Sequence, residues 1–450
     1  MSASIFKAYD IRGLVDGEIT PDFTFATGAA FARFLKLERE PGTVVIGEDM
    51  RPSSPALADA FSAGVTSQGL DVIRIGLAST DMLYFAAGKL NLPGAMFTAS
   101  HNPAAYNGIK MCFSGARPIG KESGLLTIEK FVNEGSPISL SQVGVEREQD
   151  LLEEYVAHLL QLVDVSGGRK LKIVIDAGNG MAGHTAPAVF AKLNADVVEM
   201  YYELDGSFPN HEANPIDPAN LVDLQKAVKK NKADIGLAFD GDADRCFLVD
   251  EKGHLVNPSA LTSLIATREL AKYPGSTIIY NLISSKAVPE IVAEHGGTSV
   301  RSRVGHSYIK KLMAETGAVF GGEHSGHFYF RDFWKADSGM LAALYAIAAL
   351  GENDVPLSTL LEPFNRYVSS GEINSTVKDA VAASSEIEKI YGSREGVTLD
   401  HLDGLTVTGD TWWFNLRASN TEPLLRLNVE ANTAKEMASL RDAILNTIRA

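Results

Sequence analysis

TVVIGEDMRPSSPALADAFSAGVTSQGLDVIRIG, residues 43–76, holds in one stretch the order of elements that decides the fold. A β-branched run gives way to a polar loop, then to a segment of helical length, a glycine turn and a second β-branched run. Strand, helix, strand in that order is a βαβ unit, which implies parallel strands joined by a right-handed crossover. The plan returns in KIVIDAGNGMAGHTAPAVFAKLNADVVEMY (172–201) and again in STIIYNLISSKAVPEIVAEHGGTSVRSRVG (276–305). From about residue 367 the pattern changes: GLTVTG, TWWFNLRAS and LLRLNVEA read as short strands before a last helix starting at Ala434. The expectation is an α/β chain of three similar mixed α/β domains and a smaller C-terminal α+β domain. Linkers fall near GSPISLSQVG (135–144), DEKGH (250–254) and LEPFNRY (361–367), giving expected domains of residues 1–144, 145–252, 253–366 and 367–450.

At 450 residues the chain is too long for one core. A hydrophobic fraction of 45% and 22% charged residues describe an ordinary globular composition. Lys and Arg total 41 against 56 Asp and Glu, a formal net charge of -15 that argues against broad nucleic-acid or anionic-membrane binding. Both cysteines, Cys112 and Cys246, lie in apolar stretches and read as buried hydrophobes in a reducing compartment. The start, MSASIFKAYDIRG, shows no signal-peptide pattern, and MLAALYAIAAL (340–350) is too short to span a bilayer and reads as a core helix. The expected location is cytoplasmic.

AFDGDADRCFLVD (238–250) sets Asp240, Asp242 and Asp244 at alternate positions with Arg245 directly after. Carboxylates this close repel, and three hard oxygen donors suit Mg²⁺, Ca²⁺ or Mn²⁺. With Glu251 they match positions 1, 3, 5 and 12 of an EF-hand loop. Position 6, however, is Arg245 where glycine is needed, and the flanks are β-like where helices are needed. A strand-loop-strand site for a catalytic cation fits better, with a solvated acidic turn as the bland alternative.

MFTASHNPAAYNGIKM (96–111) carries Ser100, His101 and Asn102 after an apolar strand. There is no nucleophile elbow of the G-x-S-x-G type. In an extended chain adjacent side chains face opposite ways, so His101 is badly placed as a base for Ser100. A turn at Asn-Pro with the serine as a cap is one reading. The other is a serine that carries a phosphoryl group, with about two negative charges, which gives the Asp-bound cation a purpose. GGEHSGHFYFRDF (321–333) offers Glu323, Ser325 and His327 on a glycine-flanked loop, without the helix or ligand set of a zinc site. LRASNTEPLLRL (416–427) gathers Arg417, Ser419, Asn420 and Thr421, a fork with hydroxyls and turn amides suited to phosphate. FKAYDIRG (6–13) adds Tyr9 and Arg12.

Taken together, AYDIRG, TASHNP, DGDADR, GEHSGH and RASNTEP resemble the α-D-phosphohexomutase superfamily, and within it the bacterial phosphomannomutase/phosphoglucomutase branch. Phosphoglucosamine mutases are similar, but typically have GEQSGH and a glycine where Asn420 stands. His324 replaces the usual Met or Gln, and a lysine that some members supply in the NLISSK stretch is offered only at Lys286, out of register. The resemblance implies four domains around a central cleft, each giving one loop. Phosphorylated Ser100, beside His101, would pass its phosphoryl group to a hexose monophosphate. The hexose 1,6-bisphosphate, intermediate and activator, would then reorient and return its other phosphate. Ser100, Asp240, Asp242 and Asp244 would bind one Mg²⁺ per chain, Arg12 and Arg245 would neutralise the phosphoryl group, and Lys110 and His306 would handle the proton. Tyr9, Glu323, Ser325 and His327 would hold the sugar, and Arg417, Ser419, Asn420 and Thr421 the distal phosphate. The expected partners are hexose phosphates, with neither nucleic acid nor membrane, and the expected state is a monomer or weak dimer. A sugar-phosphate phosphatase and a binding protein without catalysis are the readings of other class.

Overall fold

The structure is a computed structural model that describes residues 5–136, 143–418 and 424–449. The chain forms two compact units, one of the segment up to Val256 with Ser325–Leu360, the other of Asn257–His324 with the segment from Leu361 onward.

In the first unit the 43–76 stretch folds as its pattern predicts. Strands Thr43–Glu48 and Asp71–Leu77 pair in parallel, joined through helix Ser54–Ser67. They lie in a six-stranded sheet whose order is 11–14, 106–112, 94–97, 43–48, 71–77, 146–148. Strand Tyr106–Cys112 runs antiparallel to Gly94–Phe97, so the sheet is mixed. Its apolar face packs around Phe31, Phe61 and Phe97, whose rings meet edge-on or tilted at 5.4 to 5.9 Å. The second βαβ unit is also present: Leu171–Asp176 and Ala195–Met200 are parallel around helix Ala182–Phe190. Ile235–Phe239 joins that sheet in parallel, buried at all five positions, and Cys246–Asp250 closes it antiparallel. Such continuous burial is expected of a central strand covered on both faces. The apolar 340–350 run is a helix, Gly339–Gly351, buried throughout and capped by Ser338 Oγ, which accepts from Leu341 N at 3.0 Å. Cys112 and Cys246 are buried thiols.

The segment 250–254, where a domain border is expected, forms a tight turn. Asp250 Oδ1 accepts from Lys252 N at 3.0 Å and His254 N at 2.7 Å, and the chain returns along its own strand. Asp competes well for turn amides, which the composition of DEKGH alone conceals.

In the second unit, Thr277–Asn281 pairs in parallel with Thr298–Ser302 through helix Ala287–Glu294, the third βαβ unit. The C-terminal part is a five-stranded sheet in the order 368–376, 424–431, 412–418, 405–408, 398–400. Its pairings are antiparallel, and helices Ala380–Gly392 and Ala434–Ile448 pack with it in one core. The strand Val368–Thr376 and the helix Ala380–Gly392 were not anticipated, because the strand is mostly polar and half exposed. No helix among the described residues is long and apolar enough to cross a membrane.

Candidate active site

Parallel strands of open α/β sheets deliver their loops at the carboxyl end, where ligands bind. In the first unit, Asp49, Thr80, Ser100 and Asp240 all follow the carboxyl ends of strands (43–48, 71–77, 94–97 and 235–239). The loop after 235–239 approaches the loop after 94–97 so closely that a Cβ at Gly241 would stand 2.4 Å from Ser100 O. Only glycine permits that approach.

Ser100 is 2% exposed and its backbone lies in the left-handed region, φ 50°. Its Oγ donates to Asp240 Oδ2 at 2.9 Å and stands 3.3 Å from His101 Nδ1. The expectation that His101 would face away assumed an extended chain; the left-handed φ turns both side chains to one side. Asp242 Oδ2 accepts from Thr80 Oγ1 and from Lys110 Nζ, both at 2.6 Å, and Lys110 Nζ also reaches Asp244 Oδ2 at 2.6 Å. Arg245 Nε lies 3.5 Å from Asp240 Oδ2 and 3.8 Å from Asp244 Oδ1, and donates to His327 Nε2 at 3.1 Å. His327 Nε2 is 3.5 Å from Asp244 Oδ1, so this side chain stands in the carboxylate cluster. Ser325 Oγ is 3.1 Å from His327 Nδ1. Arg12 donates to Asn102 Oδ1 and to Asp10 Oδ2, each at 2.5 Å, and half-buried Tyr9 lies in the turn before it.

The electrostatics follow from crowding. Burial, then the charges of Asp244 and Asp242, push the Asp240 carboxyl well above its ordinary range. Burial opposes ionisation of Asp244 too, yet Lys110, His327 and Arg245 together hold it well below. Burial likewise disfavours the Lys110 ammonium, but Asp242 and Asp244 raise it well above the usual lysine value. His101 is held well below the usual imidazole value by burial and then by Arg245 and Arg12. Lys110 is therefore a protonated donor and His101 a neutral base at neutral pH.

The three aspartates offer ligand atoms within 4.8 Å of one another, and among the described residues Asp242 Oδ1 and Asp244 Oδ1 are buried without a hydrogen-bond partner. Buried carboxylate oxygens left bare are costly, and hard oxygen donors in a strand-loop-strand turn fit a cation such as Mg²⁺. The calcium-loop alternative fails on structure, since strands and not helices flank the loop.

The remaining expected residues lie in the second unit. Glu323, 1% exposed, accepts from Gly305 N at 3.1 Å. Arg417 stands 3.6 Å from Glu372 and 3.9 Å from Asp403. His324 lines a cavity of about 10 Å³ with Asn428 and Glu430. Ser419, Asn420 and Thr421 lie outside the described residues, as does the side chain of His306.

Two residues that touch the site were not foreseen, Thr80 on Asp242 and Arg51, whose Nη2 donates to Ser100 O at 3.0 Å. Thr80 carried no signal beyond being an ordinary helix-start residue. Arg51 could have been noticed as a cation two places after Asp49 in GEDMRPSS, at the end of the very strand that decides the fold.

The chain matches four models of the phosphoglucomutase/phosphomannomutase family: alpha/beta/alpha domain I over residues 3–138, domain II over 153–253, domain III over 257–367 and the C-terminal domain over 372–447. It is 39% identical over 452 residues to a phosphomannomutase of Escherichia coli K12, covering 98% of each chain. It is 41% identical over 432 residues to the phosphohexose mutases of Xanthomonas campestris pv. campestris, covering 96% of this chain and 95% of the relative. A phosphoglucomutase/phosphomannomutase family protein from Burkholderia thailandensis superposes with a TM-score of 0.89 at 32% identity, covering 99% and 98% of the two chains.

Proposed function

The chain belongs to the phosphoglucomutase/phosphomannomutase family, and on that premise we propose that it is a phosphohexomutase acting on mannose phosphates and on glucose phosphates. The reaction moves a phosphoryl group reversibly between O1 and O6 through a phosphoserine at Ser100 and a hexose 1,6-bisphosphate. The observation that carries the reading is the setting of Ser100: a buried hydroxyl 2.9 Å from one carboxylate of a triad that also holds a lysine.

In the forward half-reaction the substrate hydroxyl attacks the phosphoryl group on Ser100, forming a new P–O bond as the bond to Oγ breaks. Attacking and leaving oxygens lie on opposite sides of phosphorus. The neutral His101, 3.3 Å from Oγ, therefore supports exchanging the proton of Ser100 itself, taking it when Oγ attacks the bisphosphate and returning it when Oγ departs. His306 is the proposed acceptor for the substrate hydroxyl's proton. Lys110 stays protonated and supplies positive charge beside Asp242 and Asp244. Arg12 and Arg245 carry fixed charge for the phosphoryl oxygens. Asp240, Asp242 and Asp244, with Ser100, would hold one Mg²⁺, which supplies charge neutralisation during the transfer. Hexose 1,6-bisphosphate primes the serine as activator. Tyr9, Glu323, Ser325 and His327 are the proposed sugar ligands, Arg417, Ser419, Asn420 and Thr421 the proposed ligands of the distal phosphate, and His306 a proposed proton carrier. Four domains with borders near residues 144, 252 and 366, a cytoplasmic location, no nucleic-acid or membrane partner, and a monomer or weak dimer complete the reading; the net charge of -15 supports the lack of nucleic-acid and anionic-membrane partners.

The test supplies mannose 1-phosphate, Mg²⁺ and a trace of glucose 1,6-bisphosphate, and follows phosphorus by NMR. Mannose 6-phosphate should reach equilibrium without comparable release of inorganic phosphate. Free phosphate at a rival rate would make the protein a phosphatase, and a preference for glucosamine phosphate would make it a phosphoglucosamine mutase.

A further inference from the structure

Arg51 has no exposed side-chain surface, and each of its guanidinium N–H groups meets an acceptor. Nε donates to Asp49 Oδ2 at 3.2 Å. Nη1 donates to Pro103 O and Tyr106 O, each at 2.9 Å. Nη2 donates to Ser100 O at 3.0 Å and to Asn102 O at 2.7 Å. An arginine has five such donors, and here four are spent on carbonyls of one loop, residues 100–106. Its charge partner is itself engaged: Asp49 Oδ1 accepts from Arg51 N at 3.0 Å and Ser54 Oγ at 2.6 Å.

A buried ion pair is weak evidence for stability, since desolvation offsets most of its attraction. What this pair does have is geometry. Ser100 sits at φ 50°, a conformation that a residue other than glycine keeps only where its surroundings over-determine it. Ser100 N donates to Thr98 Oγ1 at 2.9 Å, which holds one side of the residue. The other side, its carbonyl, is held by Arg51.

We propose that Arg51 is a positioning residue for phosphoryl transfer: it pins the carbonyls of Ser100, Asn102, Pro103 and Tyr106 so that Ser100 Oγ stays aimed at Asp240. The role rests on the reading of Ser100 as the group that carries phosphate. Lysine cannot substitute, because an ammonium with three donors cannot serve four carbonyls and a carboxylate at once.

The test compares Arg51→Lys with wild type by turnover and by amide hydrogen exchange. A misaimed nucleophile costs kcat, so kcat should fall about 10²-fold while KM for the hexose 1-phosphate stays within about threefold. The amides of Ser100, Asn102 and Tyr106 should exchange faster while those of strand 235–239 keep their wild-type rates. Gly206→Ala is the second variant, because a methyl there would stand 2.7 Å from Arg51 Cα and displace the arginine without removing it. It should show the same pattern in weaker form, which keeps the test decisive if Arg51→Lys fails to fold. Wild-type kcat in both variants, loop exchange unchanged in both, or exchange rising equally across the chain would overturn the proposal. If the wild type itself shows no isomerase activity, the mutase reading and the transfer role built on it fall together. The exchange arm then reports only whether Arg51 holds the loop.

Discussion

Thr80 binds Asp242 twice: its Oγ1 donates to Oδ2 at 2.6 Å and its amide donates to the backbone O at 3.0 Å. The two residues stand 162 positions apart, and the pair fixes which carboxylate oxygen of Asp242 faces the lysine and which is left bare. Groups that orient a metal-binding carboxylate typically change affinity by about 10–100-fold when removed. Thr80→Val keeps the shape and deletes the hydroxyl, so Mg²⁺ affinity should weaken by that order. A metal titration with unchanged affinity would contradict the assignment.

Ser100→Ala should lose activity by more than about 10³-fold while retaining fold and ligand affinity, because alanine cannot carry the group. Intact-mass spectrometry should find the phosphorylated form in wild type and none in the variant. Near-normal turnover by the variant in the presence of hexose 1,6-bisphosphate would sink the mechanism.

Lys110→Met removes the buried counter-charge that Asp242 and Asp244 share, leaving Asp244 with Arg245 alone as a fixed cation. Breaking a buried pair on one side typically costs about 3–5 kcal/mol. A cation bound at the same carboxylates takes over part of that work and stabilises the folded state by mass action. The loss in thermal midpoint should therefore be larger in chelator than in saturating Mg²⁺; an equal loss in both would argue against a cation at this triad.

Asp81 is fully buried and accepts from Ser79 Oγ, from Ser338 Oγ at 2.5 Å and from Tyr155 OH at 2.7 Å. Burial raises its carboxyl to about 6, against the pull of those three hydroxyls and with help from the charge of Asp244. A folded value above the unfolded one means that stability is fully present below the unfolded value and is lost as pH rises through about 6. Asp81→Asn cannot ionise. The stability of wild type relative to this variant should accordingly rise by up to about 3 kcal/mol as pH falls from about 8 to about 4. Denaturant unfolding at several pH values measures it, and a flat difference refutes it.

Mannose and glucose phosphates should be turned over with kcat/KM values less than about 10³ apart, since a hydroxyl that no built site reads discriminates weakly. The side chain most able to change this is His324. It is a half-buried imidazole lowered by burial, and it lines a cavity with Asn428 and Glu430. His324→Met should leave the ratio within about tenfold of wild type; a larger change would show that this loop reads C2.

The recurring strand, helix and strand of 43–76, 172–201 and 276–305 was legible because hydrophobic period is local and survives any tertiary context. So was the cation site: charge crowded into Asp240, Asp242 and Asp244 is a conflict visible in five consecutive residues. The polar strand 368–376 was not, since a half-exposed strand carries little apolar signal. Nor was the direction of His101, which a single left-handed φ at Ser100 reversed. Thr80 and Lys110 acquired their carboxylate partners only when parts of two different sheets met, and Arg51 acquired its carbonyls because strands 43–48 and 94–97 are neighbours in one sheet. The chain alone determined which chemistry is present. Which donor meets which carboxylate was decided by loop dihedrals and strand neighbours, which no local pattern encodes.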